Sequence, residues 1–135
     1  MIDIDPTLVH RVCAGRVLRF MRRRGKHKQW ALSETLEVSQ PAYSKYERGA
    51  VPLPVDVLCR LAAYMEESPS QIVKYSNHLA SIALAEDSGF EEWAKTPKTL
   101  AQWCDTALVE WDKPETEEED DAEAEAEAEA EDADD

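Results

Sequence analysis

The sequence predicts an all-α fold, and three features of its 135 residues carry that prediction. Apolar side chains recur at three- and four-residue steps in several separate stretches, the spacing of a helix face. Gly25, Gly49, Pro52, Pro54, Pro69 and Pro97 fall at the edges of those stretches, where helices start or stop. Runs of alternating β-branched residues bounded by turns, the signature of strands, do not occur.

The first stretch is Val9, Val12, Cys13, Val17, Phe20 and Met21, an amphipathic stripe from about Thr7 to Arg24. Three arginines fill its last turn, which suits the negative end of a helix dipole, and Gly25 stands where a stop is expected. A short second helix covers Gln29 to Leu36. Ser39 has the character of an N-cap, with Gln40 and Pro41 in the first turn, where a missing N–H costs little. This third helix runs to about Glu47 and ends at Arg48-Gly49. Pro52 and Pro54 mark a linker, and Pro54 opens a fourth helix with Val55, Leu58, Leu61, Ala62 and Met65 on one face. Ser68-Pro69-Ser70-Gln71 reads as a capping box with proline at the first helical position, starting a short fifth helix through Val73. Leu79, Ile82 and Ala83 predict a further helix that stops near Ser88-Gly89, with Ser88 and Glu91 framing a short turn. Thr96-Pro97 opens the clearest amphipathic stretch: Leu100, Trp103, Cys104, Ala107, Leu108 and Trp111. From Pro114 the chain is Glu, Asp and Ala with one Thr. Its like charges repel and it has no branched or aromatic residue to bury, so disorder is predicted.

The whole chain carries 15 Lys and Arg against 29 Asp and Glu, a net charge of −14 with a pI near 4.5. Taken whole, this balance argues against a nucleic-acid partner, because phosphate binding needs a positive field. The charges are segregated, however. Residues 1–76 sum to +4, residues 77–113 to −4 and residues 114–135 to −14. The chain therefore divides into a mildly basic domain over 7–76, a helical extension over 77–113 and an acidic tail over 114–135.

Other totals exclude function classes. No apolar run approaches roughly 18 residues, and the acidic N-terminus lacks the basic-then-apolar order of a signal peptide, so no membrane association is expected. Cys13, Cys59 and Cys104 are an odd set without a CxxC pair, which predicts reduced thiols. His10, His27 and His78 have no second ligand three or four residues away, so no metal is expected, nor any other cofactor. No GxSxG, Walker or GxGxxG run occurs, and nothing predicts an enzyme.

Within Gly15–Val73 the residues fall into a known pattern. Leu18-Arg19-Phe20-Met21-Arg22 supplies an apolar–Arg–x–apolar–Arg core in helix 1, and Gln29 opens helix 2. Leu32, Leu36, Val38 and Ser39 match a helix 2 core and turn, and Tyr43-Ser44-Lys45-Tyr46-Glu47-Arg48-Gly49 supplies a Glu-x-Gly ending. The chain thereby resembles the Xre family, the phage-repressor and Cro-type helix-turn-helix. It departs from that pattern at Glu37, where a turn glycine is usual, at Ser33 in place of Ala, at Lys26-His27-Lys28 before helix 2, and at Pro41 in the reading helix.

The resemblance implies a five-helix helix-turn-helix domain, with extra C-terminal helices, that lays helix 3 in the major groove of double-stranded DNA. It implies Gln40, Pro41, Ser44 and Lys45 as readers along one exposed face. Gln40 suits adenine N6 and N7, and Lys45 suits guanine O6 or N7. Gln29 is implied as a phosphate contact at the start of helix 2, Arg48 as another, and Lys26 and Lys28 as flanking backbone contacts. Arg22 and Glu47 are implied as an internal ion pair between helix 1 and the end of helix 3, and Tyr43 and Tyr46 as core. Cys13 and Cys59, on apolar helix faces, read as small core residues.

A unit of this size reads one half-site, so a homodimer on a palindrome is expected. Leu100, Trp103, Leu108 and Trp111 are its predicted contact; the open alternative is that this helix packs back onto its own domain. The tail also has two readings: a self-screening segment that competes with DNA for the basic face, or a docking site for a basic protein partner. Together these imply a sequence-specific transcriptional regulator, a repressor by the family's habit, cytoplasmic and nucleoid-associated. The alternative is an antitoxin or adaptor that uses the helix-turn-helix for autoregulation and residues 77–135 to hold a partner.

Overall fold

A computed structural model describes residues 5–85 and 97–111, and every regular element among them is helical. They are α1 (Pro6–Arg24), α2 (Gln29–Leu36), α3 (Gln40–Arg48), α4 (Val55–Met65), α5 (Pro69–Leu84) and α6 (Pro97–Trp111). The expected Ser88–Glu91 turn and the 114–135 tail lie outside the described residues.

α1 begins where Asp5 Oδ1 accepts the Thr7 N–H at 2.9 Å and Pro6, which has no N–H to satisfy, takes the first turn. At its far end the left-handed residue that redirects the chain is Lys26, at φ 61°, not Gly25, at φ −82°. Between these ends α1 is the axis of the fold, because α3, α5 and α6 all pack against it. Val9, Val12, Cys13, Val17 and Met21 are buried, and so is Leu18, which lies off the predicted stripe. Leu18 is covered because α1 is enclosed on more than one side; Phe20, on the stripe, is only half-buried.

α3 crosses α1 at Gly15. A Cβ there would meet the Tyr46 carbonyl oxygen and lie 2.7 Å from that of Glu47. α3 ends at Gly49, whose φ of 71° is left-handed, and whose Cα would carry any side chain to within 2.7 Å of Val12 Cα. Arg11 Nε closes this corner by donating to the Gly49 carbonyl at 2.7 Å.

α4 follows Pro54 and buries Leu58, Leu61, Ala62 and Met65. Val55 and Cys59 depart from the sequence reading. Val55 opens the helix and is 75% exposed; Cys59 is exposed because it stands about 100° around the helix from Leu58, off the buried stripe. α5 also departs from it. The expected stop at Val73 does not occur, and the helix runs to Leu84 without a break at residues 76–77. Ile72, Ser76, Leu79, Ala80 and Ala83 form one continuous buried stripe, and Ser76 satisfies its inward hydroxyl by donating to the Ile72 carbonyl at 2.7 Å. Pro69 holds its first position, but Ser68 makes no capping bond to the backbone; its hydroxyl meets that of Ser70 at 2.7 Å.

α6 packs on α1. Leu100, Cys104 and Leu108 enter the core, so two of the four residues expected at a dimer contact are occupied within the monomer. Trp103 is half-buried and Trp111 is 43% exposed, resting against Tyr75 and His78 of α5 at centroid distances of 6.4 and 4.8 Å. Arg16 Nε donates to Asp105 Oδ1 at 2.8 Å while its Nη2 engages Oδ2, a bidentate pair that fixes α6 in register. Beside it Cys104 Sγ lies 3.7 Å from Cys13 Sγ. The hydrogen bond to Cys13 and burial push the Cys104 thiol up, so it stays protonated and unreactive at neutral pH.

Two outcomes follow from this packing. A thiol-reactive dye at neutral pH should label Cys59 alone in the folded chain and all three cysteines only in denaturant; rapid native labelling of Cys104 would mean that α6 is not seated on α1. Gly15→Ala should lower stability by about 1–3 kcal/mol in urea titration although alanine is the better helix former, because backbone carbonyls cannot yield to the added methyl.

Candidate nucleic-acid interface

α2 and α3 are joined by the three residues Glu37, Val38 and Ser39, the first in left-handed geometry at φ 59° and ψ 40°. A turn glycine would take this conformation without penalty; glutamate carries a strain of roughly 1 kcal/mol. The Glu37 and Val38 N–H groups close α2 on the carbonyls of Glu34 and Ser33, each at 3.0 Å. Ser39 then caps α3 by accepting the Ala42 N–H at 3.2 Å, with Pro41 in the first turn.

Beneath this turn lies a buried carboxylate. Glu47 is 1% exposed, and its Oε2 accepts Arg22 Nε and the Tyr43 hydroxyl, both at 2.6 Å. Its Oε1 accepts Gln29 Nε2 at 2.9 Å and Arg22 Nη2 at 3.1 Å. Four donors saturate the carboxylate, which is what allows a charge to persist in the core. Arg22 places its remaining Nη1 on the His27 carbonyl at 2.9 Å, so the α1–α2 connection joins the same network.

Gln29 is therefore a core residue, 1% exposed, rather than a side chain projecting toward phosphates. The donors of Glu47 converge from α1, α2 and α3, and Gln29 is the α2 member. Its Oε1 in turn accepts Gln40 Nε2 at 3.4 Å, which ties the N-terminal ends of α2 and α3 together. Ser44 also differs from the sequence reading. It is fully buried, and its hydroxyl accepts Arg48 Nη1 at 3.0 Å, so it does not share the exposed face.

The solvent edge of α3 is Pro41, Lys45 and Arg48, at positions one helical turn apart, with Gln40 half-buried at its start. Lys26 and Lys28 are exposed on the approach to α2, whose N-terminal N–H groups add a positive partial charge. Trp30, 57% exposed beside Gln29, is a further large side chain here that the motif did not single out. The signal for it was the helix period itself, since Gln29, Leu32, Ser33 and Leu36 turn inward and leave Trp30 facing out. Tyr43 is fully buried and Tyr46 half-buried against it, with ring centroids 6.5 Å apart in an edge-to-face arrangement. No described helix is long and apolar enough to cross a membrane, and no three metal-ligating side chains gather among the described residues.

Comparison with known proteins meets this geometry at the level of the domain. Residues 13–72 match a protein-family model described as a helix-turn-helix domain. The match runs from the middle of α1 into the first turn of α5 and takes in the whole Glu47 network. No curated protein and no solved structure matches the chain.

Arg22→Met should cost about 3–5 kcal/mol in urea denaturation, since it leaves a buried carboxylate with only neutral donors. The double variant Arg22→Met/Glu47→Leu should recover most of that loss. Equal stability of Arg22→Met and the parent would mean that the pair does not hold the three helices.

Proposed function

We propose that the protein is a sequence-specific DNA-binding transcriptional regulator of Xre type that reads the major groove with α3. One observation carries the reading: the edge of α3 formed by Pro41, Lys45 and Arg48, with Gln40 half-buried at its start, faces solvent within residues that match a helix-turn-helix domain, backed by a saturated buried network. Gln40 and Lys45 are the base readers, by the pairings their donors and acceptors allow. Arg48, Lys26 and Lys28 hold phosphates, and Pro41 packs against the groove wall. Gln29 acts indirectly, by setting the position of Gln40. Ser44 orients Arg48.

Two copies bind a palindrome with half-sites about 34 Å apart, and binding over a promoter represses transcription in the cytoplasm. With Leu100 and Leu108 used inside the monomer, the second copy meets the exposed aromatic surface of Trp111, Tyr75 and His78. That same surface favours a second reading, in which a different protein docks there and the helix-turn-helix serves autoregulation, as in an antitoxin or adaptor.

Selection of bound sites from random duplexes should enrich a two-fold symmetric motif. Gln40→Ala should relax it at one position per half-site. Lys45→Ala should weaken binding and, where it contacts phosphate as well as base, reduce the slope of log K against log salt by about 0.9 per contact. A wild-type protein that enriches no motif overturns the regulator reading.

A further inference from the structure

We propose that the acidic segment 114–135 docks on the Lys26, Lys28, Lys45 and Arg48 face of its own chain and holds it against weak DNA binding. This proposal rests on the DNA reading for its consequence, but not for the contact itself.

The fold determines which cations face outward. Arg16 and Arg19 are paired with Asp105, Arg22 with Glu47, and Arg24 with Glu67 at 3.1 Å. Arg11 sits on the Gly49 carbonyl and Arg60 on that of Thr35. Arg23 is half-buried on α1, and Lys74 and Lys98 stand singly on α5 and α6. Lys26 and Lys28 before α2 and Lys45 and Arg48 along α3 are exposed, Arg48 with one nitrogen on the Ser44 hydroxyl, and the Gln29–Gln40 bond joins the N-terminal ends of these two helices.

The segment that complements these cations carries 14 carboxylates and no Lys or Arg in 22 residues. It begins three residues after Trp111, which rests on α5. At about 3.3 Å per residue it spans up to roughly 70 Å, and a mean reach of roughly 25 Å exceeds the radius of gyration of about 13 Å expected for a domain of this size. From Glu123 to Glu131 the sequence alternates Glu and Ala, so an extended stretch offers carboxylates on one side about 6.6 Å apart, a linear array of anions like a nucleic-acid backbone. Tethering makes the encounter intramolecular, at an effective concentration in the millimolar range. A single weak contact would not persist there against salt; several carboxylates over four cations would, at low ionic strength.

A duplex must displace the segment to reach α3. Specific sites recover the difference through base contacts, whereas non-specific sites have only phosphates to offer and lose most. Displacement also returns counterions to the freed carboxylates, which offsets part of the release from DNA and makes the salt dependence shallower.

The test uses the full chain and a full-length variant in which the nine glutamates of 114–135 become glutamine, taking that segment from −14 to −5. Amide spectra of the two at about 20 mM salt should differ at Lys26, Lys28, Lys45, Arg48 and their neighbours, and the differences should vanish near 0.5 M, where the Debye length falls to about 4 Å. With a random-sequence duplex at low salt, the variant should bind about tenfold more tightly and show the steeper salt slope. Identical amide spectra at low salt overturn the contact, even if affinity changes, since a remote repulsion would then suffice. Differences confined to other faces also overturn it. If neither chain binds any duplex, the regulator reading fails, and the amide differences still decide whether the segment docks.

Discussion

Glu47 is the constraint on which the candidate interface depends. Its carboxylate is buried, so every lone pair must be met or the helices around it cannot close. Meeting it takes Arg22 from α1, Gln29 from α2 and Tyr43 from its own helix, and Arg22 then fixes the His27 carbonyl in the α1–α2 connection. No two of these helices can rotate independently without unsatisfying a charge. The angle between α2 and α3 is thus set from beneath by hydrogen bonds, and the exposed edge of α3 inherits that rigidity. An apolar core of the same volume could be as stable, but it would tolerate small slides between helices that a saturated carboxylate does not.

The second constraint is enclosure of α1. A five-helix unit leaves one side of its first helix open, and in this chain α6 covers it. The Arg16–Asp105 pair and the Cys13–Cys104 contact lie together at that junction, one polar and directional, the other small and apolar. The thiols permit close approach of the two helices, and the ion pair sets their register. This is why the second half of α5 and α6 belong to the packing of the domain: α5 continues through residues 76–77 as one helix, and α6 returns its apolar face to α1.

Much of the fold was legible because it rests on local signals. Gln29 and Leu36 bound α2 as the periodicity indicates, Ser39 caps α3, and the Leu100-to-Trp111 stripe is a helix. The end of α5 was not legible. Lys74, Tyr75, Asn77 and His78 look like a break, and only the inward Ser76, bonded back to Ile72, shows that the polar run is the outer face of a continuing helix. At the candidate site a motif gives register but not exposure. Gln29 and Ser44 occupy motif positions, yet their polar groups are used within the protein, because a neighbouring carboxylate and a neighbouring guanidinium are nearer than solvent. Cys59 shows the same limit from the other side, since one residue's displacement around α4 separates a core position from a surface one.

Charge illustrates most clearly how sequence totals and local fields part company. The net charge of −14 describes the tail, and +4 over residues 1–76 describes an average over cations of different fates. Arg16 and Arg22 belong to that average but contribute no outward field, because Asp105 and Glu47 neutralise them inside the fold. Lys45 contributes fully because its face of α3 meets water. The field at the α2–α3 edge is therefore produced by subtraction: the core uses the cations it needs, chiefly arginines able to bind a carboxylate through two nitrogens, and leaves mostly lysines at the edge. A surface of that kind suits contacts that must form and release, because a lysine holds a phosphate as a point charge without fixed geometry. The bidentate cations stabilise the scaffold, and the lysines of the edge face solvent.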